Sequence, residues 1–418
     1  MRAVKRIIAL VVMLPLLGGC SRGTESLHTS EALSGVSEAA AVLASRVDET
    51  DGFIAGKNSD RGTASGHAYI YDNAVALIAL SRAGADRQAQ AIADAMVFAQ
   101  GHDRTFSDGR LRNAYLSGNP QSDAGRSIVG GKVSVNLPGF WQDGRWQEDQ
   151  YTVSTSAGNM AWVILALCEA AGNAGEEKRT AYLSAAEQAA DFILSLKSPD
   201  GGFVAGCEGW DDQQKKLSYK STEHNIAIAC AFRALSEATE EDDPDRAKAY
   251  RDTAEYSRDF VFSMYDARLH CFYTGTTDDG ETISDGVIPL DANALAILAF
   301  GDELEDAHAV LSFVEDQMTV GRGYDFSAGD LDGIWNEGTA QMAVCCWSLE
   351  STQKYEDLIQ YLLTQVTADG MLPAADRDGV STGFALPGTD RMWEYNNEPS
   401  VSATAWAALA QIKTNPFQ

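Results

Sequence analysis

A closed toroid of six consecutive helical hairpins, an (α/α)6 architecture, is the fold this 418-residue sequence predicts. Three observations predict it. A lightly polar, Ala-rich helical pattern is followed six times by a Gly-containing extended stretch and then by a second helical pattern, with a period of about 65 residues. The helix before each stretch is apolar on one side only, as in Ala89, Ala93, Met96 and Val97 or Ala186, Ala189, Phe192 and Ile193, whereas the helix after it is apolar nearly all round. One-sided helices lie outside and all-round apolar ones are buried, so the six second helices form an inner ring. An open solenoid of hairpins is the structural alternative, but inner helices this apolar are poorly suited to a solvated concave face.

The six extended stretches are Asp51–Gly56, Asp108–Leu111, Asp200–Gly206, Leu269–Gly275, Gly323–Phe326 and Asp369–Pro373, each a turn that opens a short strand or loop. The inner helices are expected over Ala68–Arg82, Ala157–Ala171, Glu223–Glu237, Asp291–Phe300, Gly338–Leu349 and Val401–Ile412. No Pro- or Ser-rich linker interrupts them, so residues 30–418 read as one domain. The second repeat carries an insertion at 112–150 rich in Gly, Ser and Trp, and insertions on one face of a repeat fold shape binding sites.

Residues 1–19 read as an address. Arg2, Lys5 and Arg6 precede an apolar core from Ile7 to Leu17, and Leu17-Gly18-Gly19-Cys20 looks like a bacterial lipoprotein lipobox. That resemblance implies cleavage before Cys20, an acylated, palmitate-bearing Cys20 and a tether over 20–29. The domain would then sit on the extracytoplasmic side of the bacterial membrane, held by lipid alone. No other segment reaches the ~18 apolar residues that span a bilayer.

Charge narrows the partners. Sixty Asp and Glu against 32 Lys and Arg give a formal charge of -28, and losing residues 1–19 removes three cations and no anion, leaving -31. Such a surface repels nucleic acid and anionic polymers, and the Lys215-Lys216 pair is the one basic pair near an expected rim. Cys168, Cys230, Cys345 and Cys346 fall inside apolar helices and read as small core hydrophobes, while Cys207 and Cys271 occupy loops where a disulfide is conceivable. No CxxC or HxxxH spacing occurs, so no metal or other cofactor is expected; Asp325, Asp330 and Asp332 match no trusted calcium spacing.

The extended stretches all lead into the N-termini of inner helices, which gathers a polar ring on one face: Tyr71-Asp72-Asn73, Ser154-Thr155-Ser156 with Asn159, Ser221 to Asn225, Asp291-Ala292-Asn293, Trp335 to Thr339 and Glu394 to Glu398. Helix capping accounts for Ser221 or Thr222, Asp291, and Ser400 or Ser402. It accounts poorly for Asp72, which the apolar run Ala68–Tyr71 places about a turn inside its helix, and for the three consecutive polar groups Glu223-His224-Asn225. Trp141, Trp146, Trp210, Trp335 and Trp393 fall in or beside the loops of this face, whereas Trp162, Trp347 and Trp406 read as core. Trp beside carboxylates suits a sugar, whose C–H face stacks on the ring while its hydroxyls bond to acids and amides.

On the repeat plan and the acidic loop ends, residues 30–413 resemble the six-hairpin (α/α)6 glycosidase superfamily, which holds glycoside hydrolases, polysaccharide lyases and sugar epimerases. The resemblance implies a monomeric glycoside hydrolase acting on an oligo- or polysaccharide through two carboxyl groups, with inversion. Glu223 is the first choice for the acid and Asp72 for the base, followed by Asp291 and Glu337, with roles exchangeable. Tyr71, His224, Asn225, Glu398 and the five loop tryptophans are the expected substrate contacts. A lyase using His224 or Tyr71 as base, and a non-catalytic glycan-binding or assembly lipoprotein, are the alternatives.

Overall fold

The computed structural model describes residues 37–56, 66–385 and 390–418. The lipobox with Cys20, the tether and the start of the domain lie outside the described residues. No helix among the described residues is long and apolar enough to cross a membrane.

The outer layer is α1 (Glu38–Thr50), α3 (Asp86–Gly101), α6 (Glu176–Ser195), α8 (Pro244–Ser263), α10 (Ala307–Met318) and α12 (Thr352–Gln365). The inner layer is α2 (Ile70–Arg82), α5 (Ala157–Gly172), α7 (Thr222–Thr239), α9 (Leu290–Phe300), α11 (Asn336–Ser348) and α13 (Val401–Gln411), and a single short helix, α4 (Gln150–Val153), sits in the insertion. Each inner helix packs on the next, and α13 packs on α2, so the ring is closed and the open solenoid is excluded. Burial follows the sequence pattern: α9 buries every residue except Asp291, whereas α12 buries only Tyr355, Leu358, Tyr361 and Leu362. Trp162 and Trp406 fill the middle of the ring edge to face, with centroids 5.8 Å apart.

Two sets of hydrogen bonds join loops to helices, and both recur with the repeat. The fourth residue of each inner helix holds the backbone of its own extended stretch. Asn73 accepts from Ile54 N and donates to Ile54 O, and Asn225 does the same to Phe203 and Asn293 to Phe272. Thr339 and Thr404 accept from Tyr324 N and Leu372 N, and Met160 offers its sulfur to Leu111 N at 3.2 Å. The first N–H of an inner helix then donates to the stretch of the next repeat, two residues beyond the clamped position. Ile70 N bonds Asn113 O, Ala157 N bonds Ala205 O, Thr222 N bonds Thr274 O, Leu290 N bonds Phe326 O and Asn336 N bonds Ala374 O, at 2.7–3.0 Å. Orphan helix amides are thereby satisfied by backbone, which frees side chains in the first turn for other work. Gly206 and Gly275 keep φ near 140° where a Cβ would lie 2.2 and 1.9 Å from the carbonyl oxygens of Thr155 and Lys220, so glycine permits this close seating.

Several expectations need correction. Helix α2 starts at Ile70 because His67–Tyr69 pairs as a strand with Ala114–Leu116, so Asp72 is third in its helix, within the first turn. Ser221 and Ser400 cap α7 and α13 through their side chains; Thr222 and Ser402 lie inside their helices and cap nothing, while Asp291, second in α9, satisfies the first-turn amide of Ala292 from within the helix. Asn225 is fully buried in its clamp and is no substrate contact. Trp347 is 37% exposed, with the Lys413 ammonium 4.2 Å above its ring, rather than core. Cys207 and Cys271 are free, in separate strand pairs opposite Thr155 and Asp266.

If the clamp holds the toroid together, Asn225→Ala strips the partners from the buried amide and carbonyl of Phe203 and is expected to cost about 2–4 kcal/mol in chemical denaturation. A loss below about 1 kcal/mol would show the clamp to be dispensable.

Candidate active site

The second residue of each inner helix, about half a turn before the clamp, is Tyr71, Gly158, Glu223, Asp291, Glu337 and Ser402. Five of these six, all but Gly158, line a cavity of about 800 Å³ in the mouth of the barrel, together with the third-position residues Asp72, Asn159 and His224. The repeat register thus brings together Glu223, Asp72, Asp291 and Glu337, separated by up to 265 residues in sequence.

Burial and mutual repulsion dominate the electrostatics. Asp72 is pushed up to about 8, first by desolvation and then by Glu337. Glu223 is pushed up to about 8 by desolvation, then by Asp291; the 22% of its side chain left exposed opens into the cavity. Glu337 rises to about 7 and Asp291 to about 6, again through desolvation. Hydrogen bonds separate the four. Tyr71 Oη donates to Glu337 Oε1 at 2.5 Å, Ser402 Oγ donates to Glu337 Oε2 at 2.7 Å, and Trp406 Nε1 donates to Tyr71 Oη at 3.0 Å. Asp291 Oδ1 accepts from Ala292 N at 2.6 Å. Donors aimed at oxygens favour the charged form, so Glu337 and Asp291 ionise before Glu223 and Asp72, which hold their protons longest as pH rises.

His224 is neutral in this setting, since burial lowers it to about 4. Its Nε2 lies 3.2 Å from Ser156 Oγ and 3.5 Å from Glu223 Oε2, and its ring covers Gly158, where a Cβ would lie 2.3 Å from the imidazole. Among the described residues lining the cavity there is no Lys or Arg. The buried polar side-chain atoms left without a hydrogen bond include His224 Nδ1, Trp335 Nε1 and Gln341 Oε1, all on lining residues. Such a concentration marks a place where a polar guest supplies the missing bonds.

The aromatic walls differ from the sequence expectation. Trp335 and Trp393 do line the cavity, with Trp335 only 2% exposed and stacked on Tyr395 at 5.4 Å. Trp146 and Trp210 are exposed and lie off the lining, as does Glu398, whose backbone N–H and C=O bond Asn396 and Ala374. The side chain of Trp141 lies outside the described residues. Ser402, Tyr69 and Tyr151 were missed: Ser402 is recoverable by counting two residues into each inner helix, whereas Tyr151 belongs to the insertion and has no repeat position. Lys215 and Lys216 are exposed and off the lining. Asp325, Asp330 and Asp332 come within 4.8 Å of one another, but Asp325 accepts from the amides of Phe326 and Asp332, which makes them loop-forming groups.

No protein-family model and no curated protein sequence matches the chain. Solved structures do. A glycosidase matches with TM-score 0.61 at 13% identity over 93% of this chain and 99% of its own. An α-amylase from Clostridium perfringens gives 0.60 at 10% over 90% and 97%, and a GH76 α-mannanase from Bacteroides thetaiotaomicron gives 0.52 at 15% over 90% and 94%. At such identities the likeness establishes the toroid fold.

Carboxyl groups whose folded pKa lies above the unfolded value near 4 add stability that is present below that value and lost as pH rises through the folded pKa. For Asp72 and Glu223 the window is roughly pH 4 to 8. Asp72→Asn and Glu223→Gln are therefore expected to raise the unfolding temperature at pH 9 relative to the parent while changing little at pH 4, as read by calorimetry at both pH values. A gain of equal size at both would deny the raised pKa.

Proposed function

We propose that the chain is an exported glycoside hydrolase that cleaves a neutral oligo- or polysaccharide with inversion, Glu223 serving as acid and Glu337 as base. The observation that carries the reading is the set of four desolvated carboxyl groups, Glu337 buried and Asp72, Glu223 and Asp291 half-buried, without a cation among the described lining residues, in a cavity walled by aromatic rings. Hydrolysis needs one protonated carboxyl to donate to the leaving oxygen and one carboxylate to take a proton from water on the other face, about 6.5–9.5 Å away. Glu223 suits the first role, because burial and Asp291 keep its proton on near neutrality. Glu337 suits the second, because Tyr71 and Ser402 fix both of its oxygens in place and favour its charge.

In one turnover the glycosidic C–O bond breaks, the leaving oxygen takes the proton of Glu223, and the water oxygen bonds to the anomeric carbon. That water's proton passes to Glu337. Asp72, preferred as base on sequence alone, is better placed as a neutral donor to a substrate hydroxyl, since no side-chain donor holds its charge. Asp291 is the second candidate for the base.

A lyase fits less well. It must neutralise a uronate, and no Lys or Arg is among the described lining residues; of its two candidate bases, His224 and Tyr71, the latter already donates to Glu337. A glycan-binding protein would need the aromatic walls but gains nothing from desolvating four carboxyl groups. The names of the structural neighbours, a glycosidase, an α-amylase and an α-mannanase, accord with hydrolysis. Export and anchoring by a lipid on Cys20 belong to the same proposal and suit polymer processing at the cell surface.

Incubation with neutral and uronic polysaccharides, following reducing ends and the ultraviolet absorbance of unsaturated products together, tests the reaction. Reducing ends without absorbance are expected; absorbance would make it a lyase. Glu223→Gln and Glu337→Gln should each lower kcat about 10²–10⁴-fold with the fold intact. The pH profile of kcat/KM should be a bell whose alkaline limb lies near pH 8 and disappears with Glu223→Gln. In cells fed labelled palmitate, the parent chain should carry label and Cys20→Ser should not; label on both would sink the anchor.

A further inference from the structure

In the ring, α13, α2 and α5 are consecutive neighbours. Tyr151, from the insertion before α5, and Trp393, from the hairpin Val380–Ala385/Met392–Tyr395 before α13, reach over the start of α2 and meet edge to face with centroids 5.2 Å apart. Tyr69, at the start of α2, packs against Tyr151 at 6.3 Å. These three rings form a wall beside Asp72. On the far side, among the described residues, repeat four contributes only Asp291 and Leu295 to the lining, both on α9, and no residue of the loop before it.

The wall is braced. Arg104 forms a two-pronged pair with Glu148 at 2.7 Å for each bond and also binds Asp211, while buried Arg112 joins Asp103 to Asp211. Asp149 then caps α4, the short helix that carries Tyr151. A bidentate Arg pair fixes orientation as well as position, so the segment bearing Tyr151 is held in place rather than hinged.

On the reading that this is a hydrolase, we propose that the cavity is a one-ended trough and that the enzyme takes chain ends, releasing short units instead of cutting polymers internally. A chain entering over α9 meets the Tyr151–Trp393 wall beyond the carboxyl groups, and the roughly 800 Å³ behind it suits a short run of sugar rings. Each turnover adds one water across one glycosidic bond and leaves one new reducing end.

The test follows viscosity and reducing ends in the same reaction on soluble starch, α-mannan and mixed-linkage glucan, with product sizes measured alongside. Reducing ends accumulating as short products while viscosity barely falls are expected. The exposed pair changed together, Tyr151→Ala with Trp393→Ala, is expected to raise viscosity loss per reducing end severalfold without lowering the unfolding temperature. An early collapse of viscosity in the parent, or an unchanged ratio in a folded double variant, overturns the one-ended trough and leaves the hydrolase reading standing. No turnover of any polymer or of short oligosaccharides removes the hydrolase reading and this inference with it.

Discussion

The hydrogen bond from the fourth residue of each inner helix to the extended stretch before it is the constraint on which the rest of the molecule depends. It ties a loop to its own helix, and in five of the six inner helices the donation from the first amide ties that helix to the following loop. A toroid of short helices has little else to set its vertical register, since Ala-rich surfaces such as those of α13 slide with small loss of contact. With the fourth position fixed in six repeats, the second position is fixed too, half a turn above the clamp and facing the axis. The functional ring follows from the structural one.

That geometry carries an electrostatic cost that the fold only partly offsets. Six carboxyl groups line the cavity, Asp149 and Glu208 at its edge and Asp72, Glu223, Asp291 and Glu337 at the helix starts, without a cation among the described lining residues, in a chain of formal charge -28. Each of the latter four sits in the first turn of a helix, where free amides and the macrodipole favour negative charge by a modest amount. Desolvation still dominates in all four, so protons remain on the groups with the fewest donors. A site left unstable in this way is the usual companion of acid–base chemistry, because the work requires neighbouring groups in opposite protonation states.

The amount legible in the sequence differed sharply between levels. All-round apolarity marked the six inner helices, and the acids at their starts were visible because Glu223, Asp291 and Glu337 each belong to a short polar cluster at the head of an apolar helix. What was hidden was the division of labour within a turn. Asn225 stands two residues after Glu223 and is as polar, yet it faces the loop rather than the mouth, a difference that only the register reveals. The tryptophans were ambiguous for another reason: Trp146 and Trp335 are equally loop residues in sequence, but one lies on an insertion hairpin and the other is clamped between Tyr395 and Phe326. The meeting of Tyr151 with Trp393, 242 positions apart, is non-local and leaves no periodic trace.

A ring of six equivalent positions would bind a substrate in six equivalent ways, so catalysis depends on how the symmetry is broken. Three consecutive repeats supply carboxyl groups at the second position, Glu223, Asp291 and Glu337, and the next two supply hydroxyls, Ser402 and Tyr71, which both bond the last of those acids. The sixth supplies Gly158, and nothing larger fits there, because the His224 ring occupies the space a side chain would take. His224 is thereby laid beside Glu223 as a neutral, desolvated neighbour that adds no positive charge to pull the acid's proton off. The two ends of the carboxylate arc are thus set apart by opposite means: Glu337 by donors that hold it charged, and Glu223 by a neutral neighbour beside a missing side chain.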